Sequence, residues 1–455
     1  MATLVSAGPG LGAALREKRR ILASAFVGTT IEWYDFYLYG TASALVFNKQ
    51  FFPDASPLVG VLASFATYAV GFIARPLGGI ISGHLGDRIG RKALLVASLL
   101  TMGLASTLIG VLPNYASIGI LAVIGLVLLR VIQGLSAGAE WGGSALLSVE
   151  HAPAGRRGLF GSFTQVGSAA GMLLATGAYA LTQLFLSGDQ FQSFGWRIPF
   201  LLSGVLVVVG LWIRLGVTDA AEFTAVKDEN RTAARPVVRV LREYPRGILV
   251  TVGMRLVQPA IYTLMTVYIL GYLKDRRHDT TSGLAAILIV SAIGLLSGPF
   301  WGWLSDRIGR RRIAVAASVG IVALIWPFFW FLDHGSLEFL PLVLLVGMNI
   351  LHDAIYGPQA AWFAEQFPTE LRYSGVSFGY QVGTVLSAGI TPLVAAGLLQ
   401  AGGGQPWLVC GWFAFLGVLT TAAALAAKDP AGEKSRALGK KAARPAVGEP
   451  TPAQA

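Results

Sequence analysis

Apolar residues fall in long runs separated by short polar stretches, and this alternation repeats along most of the chain. The runs cover roughly residues 21–46, 58–84, 93–112, 118–148, 159–185 and 197–216. After a polar break they resume at 247–272, 282–304, 313–332, 339–366, 373–399 and 405–427. Each is about 18 residues or longer, enough for a helix to cross a ~30 Å hydrocarbon core. The pattern predicts an all-α integral membrane protein of twelve transmembrane helices.

Composition agrees. Of 455 residues, 54% are hydrophobic and only 13% charged, with a mean hydropathy of +0.62. Soluble domains carry about 25% charged residues, so too little polar surface remains to wrap a water-facing protein. The formal charge of +11 could suggest nucleic acid, but its placement points to a bilayer. Basic residues cluster at Arg16 to Arg20, at Arg88 to Lys92, at Arg156 and Arg157, between Lys227 and Arg246, and at Arg307 to Arg312. If twelve spans alternate, all these lie on one side, which the positive-inside rule makes cytoplasmic together with both termini. Lys274, Arg276 and Arg277 break the pattern on the opposite side. The start lacks a cleavable-signal pattern, because its basic cluster follows the weakly apolar stretch. The single cysteine, Cys410, can form no intramolecular disulfide.

An internal repeat divides the chain. Residues 83–92 read GHLGDRIGRK and 302–311 read GWLSDRIGRR, at an offset of 219. Glu150, Pro153 and Arg157 recur as Glu365, Pro368 and Arg372, and Gln165-Val166-Gly167 recurs as Gln381-Val382-Gly383. These matches predict two pseudo-symmetric six-helix bundles, residues 21–216 and 247–427. A cytoplasmic segment (1–20) precedes them, a linker (217–246) joins them, and a disordered tail (428–455) follows. Parallel six-span halves with the substrate at the midplane describe the major facilitator fold. The chain resembles that superfamily in its two GxLxDRxGRR loops. Through EWYDFYLYG, FIARPLGG, RVIQGLSAGAEWGG and RYSGVSFGYQVG it resembles the metabolite:proton symporters. Within them ALVFNKQFFP, DQFQSFGWRIPF and the His352-Asp353 pair are most similar to the shikimate transporters. For the loop motif, Gly83 and Gly302 permit close helix approach. Asp87 and Asp306 suit the positive end of a neighbouring helix, and Arg88, Arg91, Arg307 and Arg310 suit nearby carboxylates. With Glu150, Arg157, Glu365 and Arg372 they are expected to latch one conformation.

Ionisable side chains are costly at bilayer mid-depth, about 2.5–3.5 kcal/mol on insertion scales, so each needs a reason. At 1.5 Å per residue, Glu32 and Asp35 lie about 18 and 22 Å into the first span. Arg130, Arg255 and Asp353 lie near the midplane of the fourth, seventh and tenth. Helical spacing adds Gln133, Gln258, Tyr262, Asn349, Tyr356 and Gln359 to the same faces. Arg130 or Arg255 is expected to fork a substrate carboxylate. Asp35, helped by Glu32, is expected to carry the proton, and the amides and Tyr356 to meet hydroxyls. Glu140 is either a structural bridge or functional, Arg75 a gate or packing contact, and His352 a hydrogen-bonded structural group or a titrating one.

No phosphate loop, metal-ligand spacing or nucleophile elbow occurs, so neither nucleotide, cofactor, metal nor enzymatic chemistry is expected. The expectation is a secondary active transporter in the cell membrane, driven by the proton gradient, for a small hydroxylated or aromatic monocarboxylate such as shikimate. The same fold carrying a dicarboxylate or an osmolyte such as proline or betaine is the alternative. Osmosensing members carry a heptad-bearing C-terminal extension, and this tail has no heptads.

Overall fold

In lipid every backbone N–H and C=O must be satisfied within the protein, which leaves a run of this length little choice but helix. The computed structural model describes residues 11–89, 91–138, 141–150, 152–153, 155–215 and 236–433, and no strand occurs among them. The long helices are α1 (Leu11–Leu45), α2 (Pro57–Ile89), α3 (Arg91–Val111), α4 (Ile120–Ala137), α5 (Trp141–Glu150), α6 (Arg157–Phe185) and α7 (Ile198–Leu215). After the short α8 (Pro236–Glu243) come α9 (Pro245–Arg277), α10 (Thr281–Ile308), α11 (Arg310–His334), α12 (Leu337–Ala364), α13 (Thr369–Ala401) and α14 (Trp407–Ala426). Among the described residues nine of these are long and apolar enough to cross a membrane. α1 carries Glu32, Asp35 and its basic start, and α6 is rich in glycine, serine and threonine, which lowers the apolarity of both.

Large apolar side chains face outward, Leu296 at 76% and Trp212 at 79% exposure, as a lipid-facing surface requires. Polar and charged side chains face inward, the reverse of a soluble fold. The two halves meet chiefly where α6 packs on α10 and where α2 packs on α13.

Three helices of the second half depart from regular winding. α9 is interrupted at Arg255 and Leu256, and π-helical turns occupy Leu264–Tyr268, Val346–His352 and Val385–Gly389. Such interruptions inside long helices mark places where side chains are re-aimed. Gly309 ends α10 at φ +94, a conformation that only glycine adopts cheaply.

Within the linker expected at 217–246, residues 236–243 form α8, and residues 217–235 lie outside the described residues. The tail expected to be disordered from residue 428 is packed down through Glu433. Asp429 accepts from the backbone N–H groups of Arg310 and Arg311, both at 3.2 Å, and so caps the start of α11. A carboxylate is favoured at a helix N-terminus whatever the composition of the segment that brings it.

Candidate functional site

Two polar clusters lie at mid-depth, one in each half. In the first, Glu32, Asp35, Arg75 and Arg130 are all fully buried. Arg75 pairs with Glu32 at 3.1 Å. Asp35 accepts from Ser203 at 2.7 Å, and among the described residues no cation lies within ion-pair distance of it. Arg130 donates to Gln133 Oε1 at 2.8 Å, and Gln133 donates onward to Ser106. The guanidinium carbons of Arg75 and Arg130 lie 3.8 and 4.6 Å from the Phe36 ring centroid, and Arg130 also stands 4.0 Å over Tyr39. Cation–π contact replaces hydration that mid-depth arginines cannot have. Gly71 makes the room, since a Cβ there would stand 2.7 Å from the Arg130 guanidinium.

In the second cluster Arg255 sits at the break in α9, where the chain frees its side chain from the regular ladder. It donates to Gln258 Oε1 and Gln359 Oε1, and to Thr384 Oγ1 at 3.1 Å, and lies 3.9 Å over Tyr380. Gln258 Nε2 meets His352 Nε2, and His352 Nδ1 lies 2.8 Å from Asp353 Oδ1. Ser297 and Asn349 donate to the other oxygen of Asp353. The Tyr262 ring lies tilted, its centroid 4.7 Å from that of the imidazole and 5.3 Å from that of Tyr37 of the first half.

At the end carrying the second loop motif, Asp306 caps α6. Its two oxygens accept from Gly158 N at 2.8 Å and Leu159 N at 3.0 Å, across the boundary between halves. Gly302 permits this approach, because a Cβ there would stand 2.6 Å from Gly158 O. Arg310, buried, bridges Asp306 at 3.2 Å and Glu365 at 2.8 Å. Arg372 reaches Glu150 across the halves at 3.6 Å. Arg157 is exposed, and Arg307 lies 4.0 Å over Trp303. At the opposite end Lys274 donates to Leu45 O at 2.8 Å beside a cavity of about 450 Å³ lined by Gln183, Asp189 and His278. The halves therefore touch at both ends.

The major facilitator superfamily model matches residues 25–380 and 280–453. The chain belongs to the major facilitator superfamily. The shikimate transporter of Escherichia coli is 40% identical over 94% of this chain and 98% of its own length. An inner membrane metabolite transport protein of the same organism is 38% identical over 84% and 88%. The proline/betaine transporter of Salmonella typhimurium is 32% identical over 84% and 78%. Among solved structures, a proton:xylose symporter bound to 6-bromo-6-deoxy-D-glucose superposes with a TM-score of 0.70 at 18% identity, covering 90% of this chain and 95% of that one. This superfamily member is a multi-pass membrane protein and a secondary transporter, not an enzyme.

Within the superfamily fold, the residues expected at mid-depth come together in these two clusters. Glu32, expected beside Asp35 in proton carriage, is tied to Arg75. Gln133, Gln258 and Gln359, expected at substrate hydroxyls, accept from Arg130 and Arg255. Asp353 is engaged by His352, Ser297 and Asn349, and Tyr356 lies 5.4 Å beneath Arg255. Gly83, Asp87 and Arg88 lie on the last turns of α2 and Arg91 opens α3, while Glu140 lies outside the described residues. Ser106, Ser203, Ser297 and Thr384 escaped sequence reasoning. A lone serine or threonine in an apolar run is too common to single out.

Proposed function

We propose that this transporter carries a small organic monoanion, shikimate or a related hydroxylated or aromatic acid, together with a proton. One observation carries the reading: among the described residues the mid-depth clusters hold three arginines, Arg75, Arg130 and Arg255, against three carboxylates, Glu32, Asp35 and Asp353. A monoanion entering this balanced set adds a charge that mid-depth penalises. A proton entering with it restores the balance. Of the three carboxylates Asp35 alone has neither an ion-pair partner nor a histidine beside it among the described residues, so it is the group to be neutralised. With Asp35 protonated the site holds one positive charge in excess, the complement of a monocarboxylate. Proton and anion then favour each other by the same free energy. The 40% identical shikimate transporter supports the choice of acid.

A zwitterion would leave the balance untouched, and the 32% identical proline/betaine transporter keeps that second reading in play. Uptake into proteoliposomes under an imposed pH gradient separates them. The native protein is expected to accumulate shikimate, but not its methyl ester or betaine, uphill. Asp35→Asn, fixed in the neutral form, is expected to exchange shikimate down its gradient and to lose accumulation. Uphill shikimate uptake by Asp35→Asn at the native level moves the proton site elsewhere. Betaine uptake that ignores the pH gradient, with no shikimate uptake, replaces the anion by the zwitterion.

A further inference from the structure

Gln258 stands between a guanidinium and an imidazole, and its amide has only one permitted sense. Arginine has donors and no acceptor, so Oε1 of Gln258 faces Arg255 and Nε2 faces His352. An amide NH₂ offers no lone pair, so His352 Nε2 is the acceptor and the ring proton sits on Nδ1. Asp353 Oδ1 accepts that proton at 2.8 Å. Both ends of this chain are anchored. Gln359 and Thr384 also hold Arg255, while Ser297 and Asn349 hold Asp353.

A second ring proton turns Nε2 into a donor aimed at the donors of Gln258. Rotating the amide by half a turn relieves the clash: Oε1 then accepts from the imidazolium, and NH₂ confronts Arg255. The guanidinium loses one acceptor and gains a repelling donor. We propose that Gln258 is a proton-operated switch on Arg255, turned by one proton taken from water at His352 Nε2, which frees one Nη1–H of Arg255 for a substrate carboxylate oxygen while the other stays on Gln359. No bond breaks in the step, and the proton leaves from the same nitrogen when the anion departs. This rests on the reading of the substrate as an organic anion, and it adds a second place where proton and anion meet.

The first half provides the contrast. Arg130 and Gln133 repeat the spacing of Arg255 and Gln258, but Gln133 Nε2 donates to the Ser106 hydroxyl. A hydroxyl both donates and accepts, so it does not dictate the sense of the amide. Only the second half has a partner whose protonation reverses its role. The titratable and charged groups facing His352 are Asp353 and Tyr356 from α12, and Arg255 and Tyr262 from α9, with the two tyrosine rings at 5.2 and 4.7 Å. From α10 the cluster receives the neutral Ser297. Asp353 keeps its hydrogen bond in both states and stabilises the imidazolium.

The test uses the full-length protein in lipid with ¹⁵N-labelled histidine, His352→Asn assigning one signal among the five histidines. At alkaline pH without ligand, His352 is expected to show a protonated Nδ1 and a bare Nε2. Calorimetry with shikimate is expected to tighten as His352 protonates, approaching about tenfold per pH unit, the limit for one linked proton. Gln258→Leu should bind shikimate with that segment of the pH dependence removed. Gln258→Glu, an acceptor toward both neighbours, should hold Arg255 at every pH and bind weakly throughout. A protonated Nε2 in the neutral ring overturns the switch, and so does native binding indifferent to His352 protonation. Absence of shikimate binding at any pH overturns the anion reading itself, a different and recognisable failure.

Discussion

Phe36 carries two guanidinium groups on one ring, Arg75 and Arg130, and only one of them has an ion-pair partner among the described residues. The consequence is a division of labour between two acids one helical turn apart on α1. Glu32 is committed to Arg75 in a pair with no exposed atom, so removing its charge strands a buried cation. Glu32→Gln is therefore expected to cost about 3–5 kcal/mol, the range for breaking a buried pair from one side. Glu32→Gln with Arg75→Met should recover most of that loss. Asp35→Asn strands no paired cation and should melt near the native temperature. Melting in detergent with and without shikimate checks all three, and a Glu32→Gln protein as stable as the native one would mean that the pair holds nothing together.

Among the elements, α9 is the one whose irregularity is built from outside. At its break the N–H of Val257 would be orphaned at mid-depth. Thr420 of α14 accepts from Val257 N at 3.1 Å and donates to Gly253 O at 2.9 Å, a carbonyl that Leu256 N also reaches at 3.2 Å. Arg255 owes its aim to that plug. Thr420→Val leaves the Val257 N–H unmet, at about 1–3 kcal/mol. It is expected to lower stability and to weaken shikimate binding together, whereas Thr420→Ser should restore both. Weak binding that persists in Thr420→Ser would detach the arginine from the break.

Across the molecule the repeated tripeptides perform the same task in opposite directions. Gln165 donates to Tyr356 O at 3.3 Å and Gln381 to Gly138 O at 3.4 Å, each reaching from its own half into the other. Their glycines, Gly167 and Gly383, give way to Thr29 and Arg255, where a Cβ would stand 2.7 and 2.5 Å away. Together with Asp306 on α6, these contacts hold the halves closed at the motif end. Closure must break for the halves to rock, so weakening it should change rates before affinities. Asp306→Asn removes the charge from the α6 terminus and from Arg310. Transport is expected to fall severely while calorimetry finds shikimate binding within a few-fold of native. A folded Asp306→Asn protein that no longer binds would put this aspartate in the substrate site.

Length of apolar run, placement of arginine and lysine, and the two loop motifs were legible in the chain because lipid imposes its conditions residue by residue. A segment is long enough or it is not, and a mid-depth charge is costly wherever its partner lies. The same reasoning singled out Glu32, Asp35, Arg130, Arg255 and Asp353 as exceptional. Which of them pair was decided only by tertiary structure, because helical periodicity assigns a face and leaves open how that face is turned toward its neighbours. Arg75 joined Glu32 because α2 lies against α1 at a depth no spacing records. Asp429, in a segment with no periodicity, became structural because the start of α11 stood within reach of a carboxylate. The sense of the Gln258 amide depends on an arginine one turn away and a histidine on another helix, and only three-dimensional neighbours can dictate which atom of an amide faces which partner.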